Sequence, residues 1–251
     1  RDKLYIRKIE QIYKKFERSL DINEDFLVAV SGGPDSMALA FLAKIYSIKH
    51  NLKSKFIIVD HKLRPESTKE AKLVKNILKR YLINSEILTW RGKKPKNNLQ
   101  SVARKNRYFL LKKQCKKDNV KTILMGHHLE DLYENFFIRL SRGSGLNGLL
   151  SFYEIEKITN GSIKILRPLI NNNKKDLIYT AKKVFETYVE DPSNQQEKFK
   201  RVKIRNLIKN LQSEGLDFHK FDLTIKNLKI ADNSINFFID KNIKNNSTYL
   251  K

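Results

Sequence analysis

Four short apolar runs, each followed by a helical stretch, constrain this chain more than any other feature. The runs are "DFLVAV" (25–30), "SKFIIVDH" (54–61), "SEILTW" (85–90) and "VKTILMGHH" (120–128). The helical stretches are "SMALAFLAKIYSIKH" (36–50), "PESTKEAKLVKNILKRYL" (65–82, Pro65 near its first turn), "LQSVARKNRYFLLKKQCKKD" (99–118) and "LEDLYENFFIRLSR" (129–142). Strands joined through helices of this length run parallel with right-handed crossovers, so the fold class read here is α/β with a parallel sheet. Such sheets bind ligands at the carboxyl ends of their strands. Three polar stretches fall there: "SGGPDS", "DHKLRPES" and "GHHLED".

The flanks are read more coarsely. Residues 1–24 hold an amphipathic helix, with Leu4, Ile9, Ile12 and Phe16 near helical spacing, that packs on the core. A Lys-rich loop, "RGKKPKNN", covers 91–98, and 142–150 are glycine-rich. Residues 152–169 alternate around an Asn160-Gly161 turn, the pattern of a β-hairpin. A helix over 174–188, a polar loop over 189–201 and a helix over 202–212 follow, and Gly215 closes that helix. A last helical segment spans 221–243. Domain limits are placed at 25–215 for the main α/β domain and 216–251 for a helical extension too short to fold alone. No internal repeat is present.

Charge points to the partner. Lys and Arg total 51 against 27 acidic residues, a formal net charge of +24 with a pI near 9.9. An AT-rich coding bias would raise Lys, Asn and Ile, but it would raise Glu as well. The excess builds a field that attracts a polyanion, and nucleic acid is the partner class expected, RNA and DNA being indistinguishable on this ground. No run reaches the length of a membrane span, and the N-terminal stretch lacks the apolar core of a signal peptide. A single cysteine, Cys115, allows neither an internal disulfide nor a CxxC site. The expectation is a cytoplasmic protein with no membrane partner.

The chemistry-bearing residues cluster at the strand ends. Gly32 and Gly33 let the backbone turn and expose N–H groups; the helix starting near Asp35 adds its positive end, and Ser31 and Ser36 add hydroxyls. Pro34 suits a first helical turn. The loop is not Walker A, GxGxxG or a G-x-S-x-G elbow. It is either a phosphate cradle or a plain strand–helix turn capped by Ser31 or Asp35. An acid inside a phosphate cradle is repulsive unless a cation intervenes, which makes Asp35 a candidate Mg²⁺ ligand. In "GHHLEDLYEN", His127, Asp131 and Glu134 fall at i, i+4 and i+7 of one helical face, where they could hold Mg²⁺, bind an ammonium group or exchange protons. The alternative is a solvated face, and the pattern is not HExxH. Arg104, Arg107, Arg139, Arg142, Arg167, Arg201 and Arg205 are Arg in a Lys-rich chain, which hints at bidentate phosphate contacts. His61 could line the same pocket, and Cys115 is read as a helix residue.

These stretches carry a resemblance. "SGGPDS" resembles the S-G-G-x-D-S loop of the PP-loop ATP pyrophosphatase superfamily. Within it, "SGGPDSMAL", "VDHKLRPES", "VARKNRY" and "GHHLEDLYENFFIRLSRGSGLNGLL", followed by "RPLI" and "EDPSN…RVKIR", resemble the tRNA(Ile)-lysidine synthase family in order, over roughly residues 26–212. Asn135 stands where that family usually has Thr, and Val202 where Asn commonly follows the first Arg.

The resemblance implies a Rossmann-like PP-loop domain over 25–215. Its activity would be ATP-dependent joining of free L-lysine to the wobble cytidine of tRNA(Ile) with a CAU anticodon, through an adenylated C2, giving AMP and pyrophosphate. It implies Ser31, Gly32, Gly33, Pro34, Asp35, Ser36 and His61 at ATP and pyrophosphate, with Mg²⁺ on Asp35. It implies Asp131 and Glu134 at lysine, and Arg104, Arg107, Arg201 and Arg205 at phosphates or the anticodon loop, with Asp35, Asp131, Glu134 and Arg104 as the catalytic set. Members are often dimers, and larger forms continue into C-terminal domains that bind tRNA. With a short helical tail, the positive core surface is expected to do more of that work. A tRNA thiolase and a non-catalytic RNA-binding module are the competing readings. One cysteine argues against the first, and Asp35, Asp131 and Glu134 clustered beside the loop argue against the second.

Overall fold

The computed structural model describes residues 2–92, 99–152, 156–158, 162–190 and 200–246. Its sheet is built from β1 (Phe26–Val30), β2 (Ser54–Asp60), β3 (Ser85–Thr89), β4 (Thr122–Met125), β5 (Glu156–Ile158) and β6 (Ile163–Leu166), in the order β3-β2-β1-β4-β6-β5. The first five in that order run parallel, and β5 closes the edge antiparallel to β6. The parallel α/β reading is borne out. The hairpin strands are present, while the Asn160-Gly161 turn, the loop over 93–98 and the polar segment over 191–199 lie outside the described residues.

Strand periodicity sorts the core into two faces. Phe26, Val28 and Val30 of β1, with Phe56 and Ile58 of β2, face one cluster. That cluster also holds residues of α1 (Arg7–Arg18), α2 (Pro34–Lys49), α3 (Ser67–Arg80) and α7 (Lys174–Phe185). The alternate residues Leu27, Ile57, Ile123 and Ile165 face a second cluster with Leu111 and Cys115 of α4 (Leu99–Asp118). β1 is thus buried on both faces, which explains why it reads as a continuous apolar run with no polar alternation. Fully burying each such Leu or Ile contributes about 1.5–3 kcal/mol.

The remaining helices are α5 (Leu129–Leu140), α6 (Leu146–Leu150) within the glycine-rich stretch, α8 (Lys200–Ser213) and α9 (Phe218–Asn246). α3 begins at Ser67, so Pro65 lies just before the helix instead of inside it. By contacts the chain forms two units, Arg1–Asp131 with Ile155–Asp191, and Leu132–Glu154 with Pro192–Lys251. This division runs through α5. The first unit holds the sheet. In the second, Phe218 and Phe221 of α9 stack on Tyr133 and Phe137 of α5, with ring centroids 4.8 and 5.3 Å apart. Among the described residues no helix is long and apolar enough to cross a membrane.

Candidate active site

β1 delivers the chain into a loop whose geometry requires glycine. Gly32 has φ +93°, and a Cβ there would lie 2.5 Å from Val74 Cγ2. Its carbonyl accepts the Val189 N–H at 2.9 Å, which ties the loop to the segment after α7. The buried Ser36 hydroxyl is directed inward. It accepts the N–H groups of Ser31 and Gly32, both at 3.1 Å, and lies 3.0 Å from Gly33 O as donor. Gly33 is the N-cap of α2 and Pro34 its first residue. Met37 N–H is the first to reach back to Gly33 O, so the amides of Asp35 and Ser36 have no intrahelical acceptor. They are the donors left for an anion. Gly126, at the end of β4, lies against this turn: a Cβ on it would be 3.1 Å from Ser36 N and from Asp35 C.

Beside the loop, three carboxylates surround one histidine. His128 is 4% exposed. Its Nε2 lies 3.5 Å from both Asp35 Oδ2 and Asp131 Oδ2, and its Nδ1 lies 2.8 Å from Glu130 Oε2. Burial alone would lower its pKa. The Asp35, Glu130 and Asp131 carboxylates outweigh burial and push it up to about 10. Asp131 also accepts the His128 backbone N–H at 3.1 Å, and Glu130 accepts the Lys174 N–H that opens α7 at 3.0 Å. Burial raises the Glu130 pKa, and the His128 contact and the Lys174 amide more than reverse that. The histidine that these three acids surround is His128, the residue after His127. It is bridged to Leu169 at the rim of the sheet. The second oxygen of Asp35, Oδ1, is buried with no hydrogen-bond partner.

The other predicted residues of this unit lie around α4 and the end of β2. Burial first, then the Arg107 charge, lowers the His61 pKa to about 4, so this ring is neutral at ordinary pH and shares its surroundings with Arg107. Arg104 stacks on Tyr108 at 4.9 Å and donates to its hydroxyl at 2.9 Å. Asp60, just before His61, is buried and takes the hydroxyls of Thr68 and Ser67 at 2.6 and 2.9 Å, holding the start of α3 to the strand end.

In the second unit, the structure brings Glu134 and Arg205 together. Glu134 is buried, and Arg205 donates to it through Nε at 2.5 Å and Nη2 at 3.3 Å. Helical spacing on α5 could place Glu134, but not its partner 71 residues away on α8. Arg201, one turn earlier on α8, is half-buried, as is Arg139, while Arg142 is exposed. Arg167, in the first unit, is buried.

Residues 2–211 match the model of the PP-loop domain family. The chain belongs to the PP-loop family. Among curated PP-loop relatives it is 39% identical over 189 residues to a tRNA(Ile)-lysidine synthase of Orientia tsutsugamushi (strain Boryong), covering 75% of this chain and 42% of that protein. It is 39% identical over 211 residues to the one of Wolbachia pipientis wMel, covering 83% and 48%. The chain thus spans about half the length of the curated relatives it matches. A solved structure, the U34-tRNA thiolase NcsA of Methanococcus maripaludis with its 4Fe–4S cluster, superposes with a TM-score of 0.75 at 17% identity, over 90% of this chain and 80% of that one. At that identity the match speaks to the PP-loop fold alone.

Proposed function

We propose that the chain carries out the ATP-dependent ligation of lysine to the wobble cytidine of tRNA(Ile) with a CAU anticodon. The naming of its relatives supports the substrate, and one observation carries the chemistry: the first turn of α2 joins amides with no intrahelical acceptor to a buried Asp35 oxygen with no hydrogen-bond partner. The amides suit phosphate, and the bare carboxylate oxygen suits a phosphate-bound cation. Asp35 Oδ1 therefore fits Mg²⁺, which when bound would neutralise charge building on the departing pyrophosphate. Among the described residues no group of three or more His, Cys, Asp or Glu is disposed to hold a metal by itself, so phosphate oxygens would complete such a site.

In this reading the cytidine O2 attacks the α-phosphorus of ATP and the bond to the β-phosphate oxygen breaks. Pyrophosphate stays in the glycine loop against the Asp35 and Ser36 amides. The lysine ε-amine, after giving up a proton, then forms the bond to C2, and AMP leaves with the former O2. Asp131 would receive the ammonium end of lysine and take its proton. Arg104, Arg107, Arg201 and Arg205 would meet phosphates of the RNA or nucleotide, and His61 would offer an uncharged edge. Cys115 has no part in it. The thiol is buried on α4, and burial raises its pKa to about 12, the opposite of what thiolase-type sulfur chemistry needs.

The test is mass spectrometry of a CAU-anticodon tRNA(Ile) after incubation with the chain, ATP and lysine. The expected product carries one added lysine with loss of one water. Asp35→Ala should abolish lysine- and tRNA-dependent pyrophosphate release while leaving tRNA binding nearly intact; unchanged turnover in that variant refutes the metal role.

A further inference from the structure

Helix α1 presents a second feature that the proposed chemistry does not use. Its inner face, Ile9, Ile12, Tyr13 and Phe16, is buried in the core. Its outer face carries Arg7, Lys14, Lys15 and Arg18 at spacings of seven, eight and eleven residues from Arg7, a stripe about 16 Å long at 1.5 Å per residue. The stripe lines an open cleft of about 680 Å³ beside α7. Five cations border the cleft, Lys8 being the fifth, against one acid of α7, Asp176.

The ion pairs do not cancel this charge. Asp176 holds Lys8 at 2.9 Å and Glu10 holds Lys14 at 2.6 Å. Glu17, the other acid of α1, faces Lys49 and His50. Among the described residues Arg7, Lys15 and Arg18 make no ion pair, and all three are exposed. Isolated surface lysines commonly serve solubility alone. Here the cations share one concave surface, and two of them are arginines, whose forked donors match phosphate oxygens. An acidic protein partner is disfavoured because the cleft offers no exposed aromatic or aliphatic anchor: Ile12, its apolar lining residue, is 3% exposed.

We propose that the α1 cleft is a docking site for the phosphate backbone of a folded RNA, engaged through Arg7, Lys15 and Arg18. The inference rests on the reading of the substrate as RNA. The cleft contributes affinity and orientation, with no base readout and no part in the chemistry.

The test follows binding of a CAU-anticodon tRNA to the 251-residue chain by fluorescence anisotropy across salt concentrations. The Arg7→Gln/Lys15→Gln/Arg18→Gln triple is compared with a control triple of equal charge, Lys72→Gln/Lys75→Gln/Lys79→Gln, on the exposed face of α3. Loss of three phosphate contacts should make the slope of log K against log salt shallower by about 2 to 3, and should raise the tRNA KM with kcat unchanged. The control should move the slope by less than about 1. Equal slopes for the two triples, at matched thermal stability, would overturn the site in favour of a general field. Tighter binding of polyglutamate than of tRNA at the cleft would overturn it in favour of a protein partner. A wild-type chain that adds no lysine, yet shows the α1-specific slope change, refutes the ligase reading alone. Lysine addition with an unchanged tRNA KM in the α1 triple refutes the docking site alone.

Discussion

His128 Nδ1 and Glu130 Oε2 lie 2.8 Å apart, and the same carboxylate receives the first amide of α7 at 3.0 Å. One contact thus joins the end of β4 and the start of α5 to α7, and sets a cation between Asp35 and Asp131. Without it, three partly buried carboxylates would stand together with backbone amides and no positive charge to balance them.

Removing this histidine should be costly. His128→Ala leaves Asp35, Glu130 and Asp131 without their shared cation, and because these carboxylates are partly exposed the loss should fall below the about 3–5 kcal/mol of a fully buried pair. Urea unfolding should show the loss, and Glu130→Gln should give a smaller one. A His128→Ala chain of wild-type stability would mean that the cluster is not held by charge.

The two close-approach glycines should fail differently. Gly32→Ala forces an L-residue to positive φ and drives a methyl into Val74, so a stability loss of about 1–3 kcal/mol is expected together with lost nucleotide binding. At Gly126 the added Cβ meets the backbone of Asp35 and Ser36 at 3.1 Å. Gly126→Ala should therefore weaken nucleotide binding, read by calorimetry, more than it lowers Tm.

His61 gives a pH signature. Its pKa is lowered to about 4 in the folded chain, against 6.5 for the free side chain. The unfolded state then binds the extra proton between those values, so stability falls as pH drops from 6.5 toward 4 and is unaffected by this group above 6.5. His61→Gln should flatten that part of the stability profile. NMR titration should find the wild-type ring still neutral at about pH 6.

Asp131 and Glu134 separate by kinetics. In the proposed ligation, Asp131→Asn should raise the lysine KM while the tRNA KM stays put. Glu134→Gln leaves the half-buried Arg205 beside a neutral amide, so it should lower Tm as well as activity. If Asp131→Asn leaves the lysine KM unchanged, the ammonium-binding role is lost.

Asp60 shows how much of this was legible in sequence. Its place at a strand end before "HKLRPES" marked a site region, but nothing local announced that it would accept Thr68, Ser67 and Lys62 donors and anchor α3. Burial raises its pKa and those donors more than reverse the effect. Glu134 is similar: helix phase places it three residues after Asp131, while its partner comes from another helix.

By itself the sequence determined what short-range physics dictates. Alternate residues of β1 and β2 had to face opposite sides, Gly32 and Gly33 had to open the chain ahead of Pro34, and the βα alternation had to give a parallel sheet. Tertiary structure alone decided the rest: that β6 joins beside β4, that Gly126 presses on the first turn of α2, that three carboxylates meet at His128, and that Arg205 closes on Glu134. Strand and helix phase depend on neighbours a few residues away, whereas these contacts depend on strand order and on helices meeting across long stretches of chain.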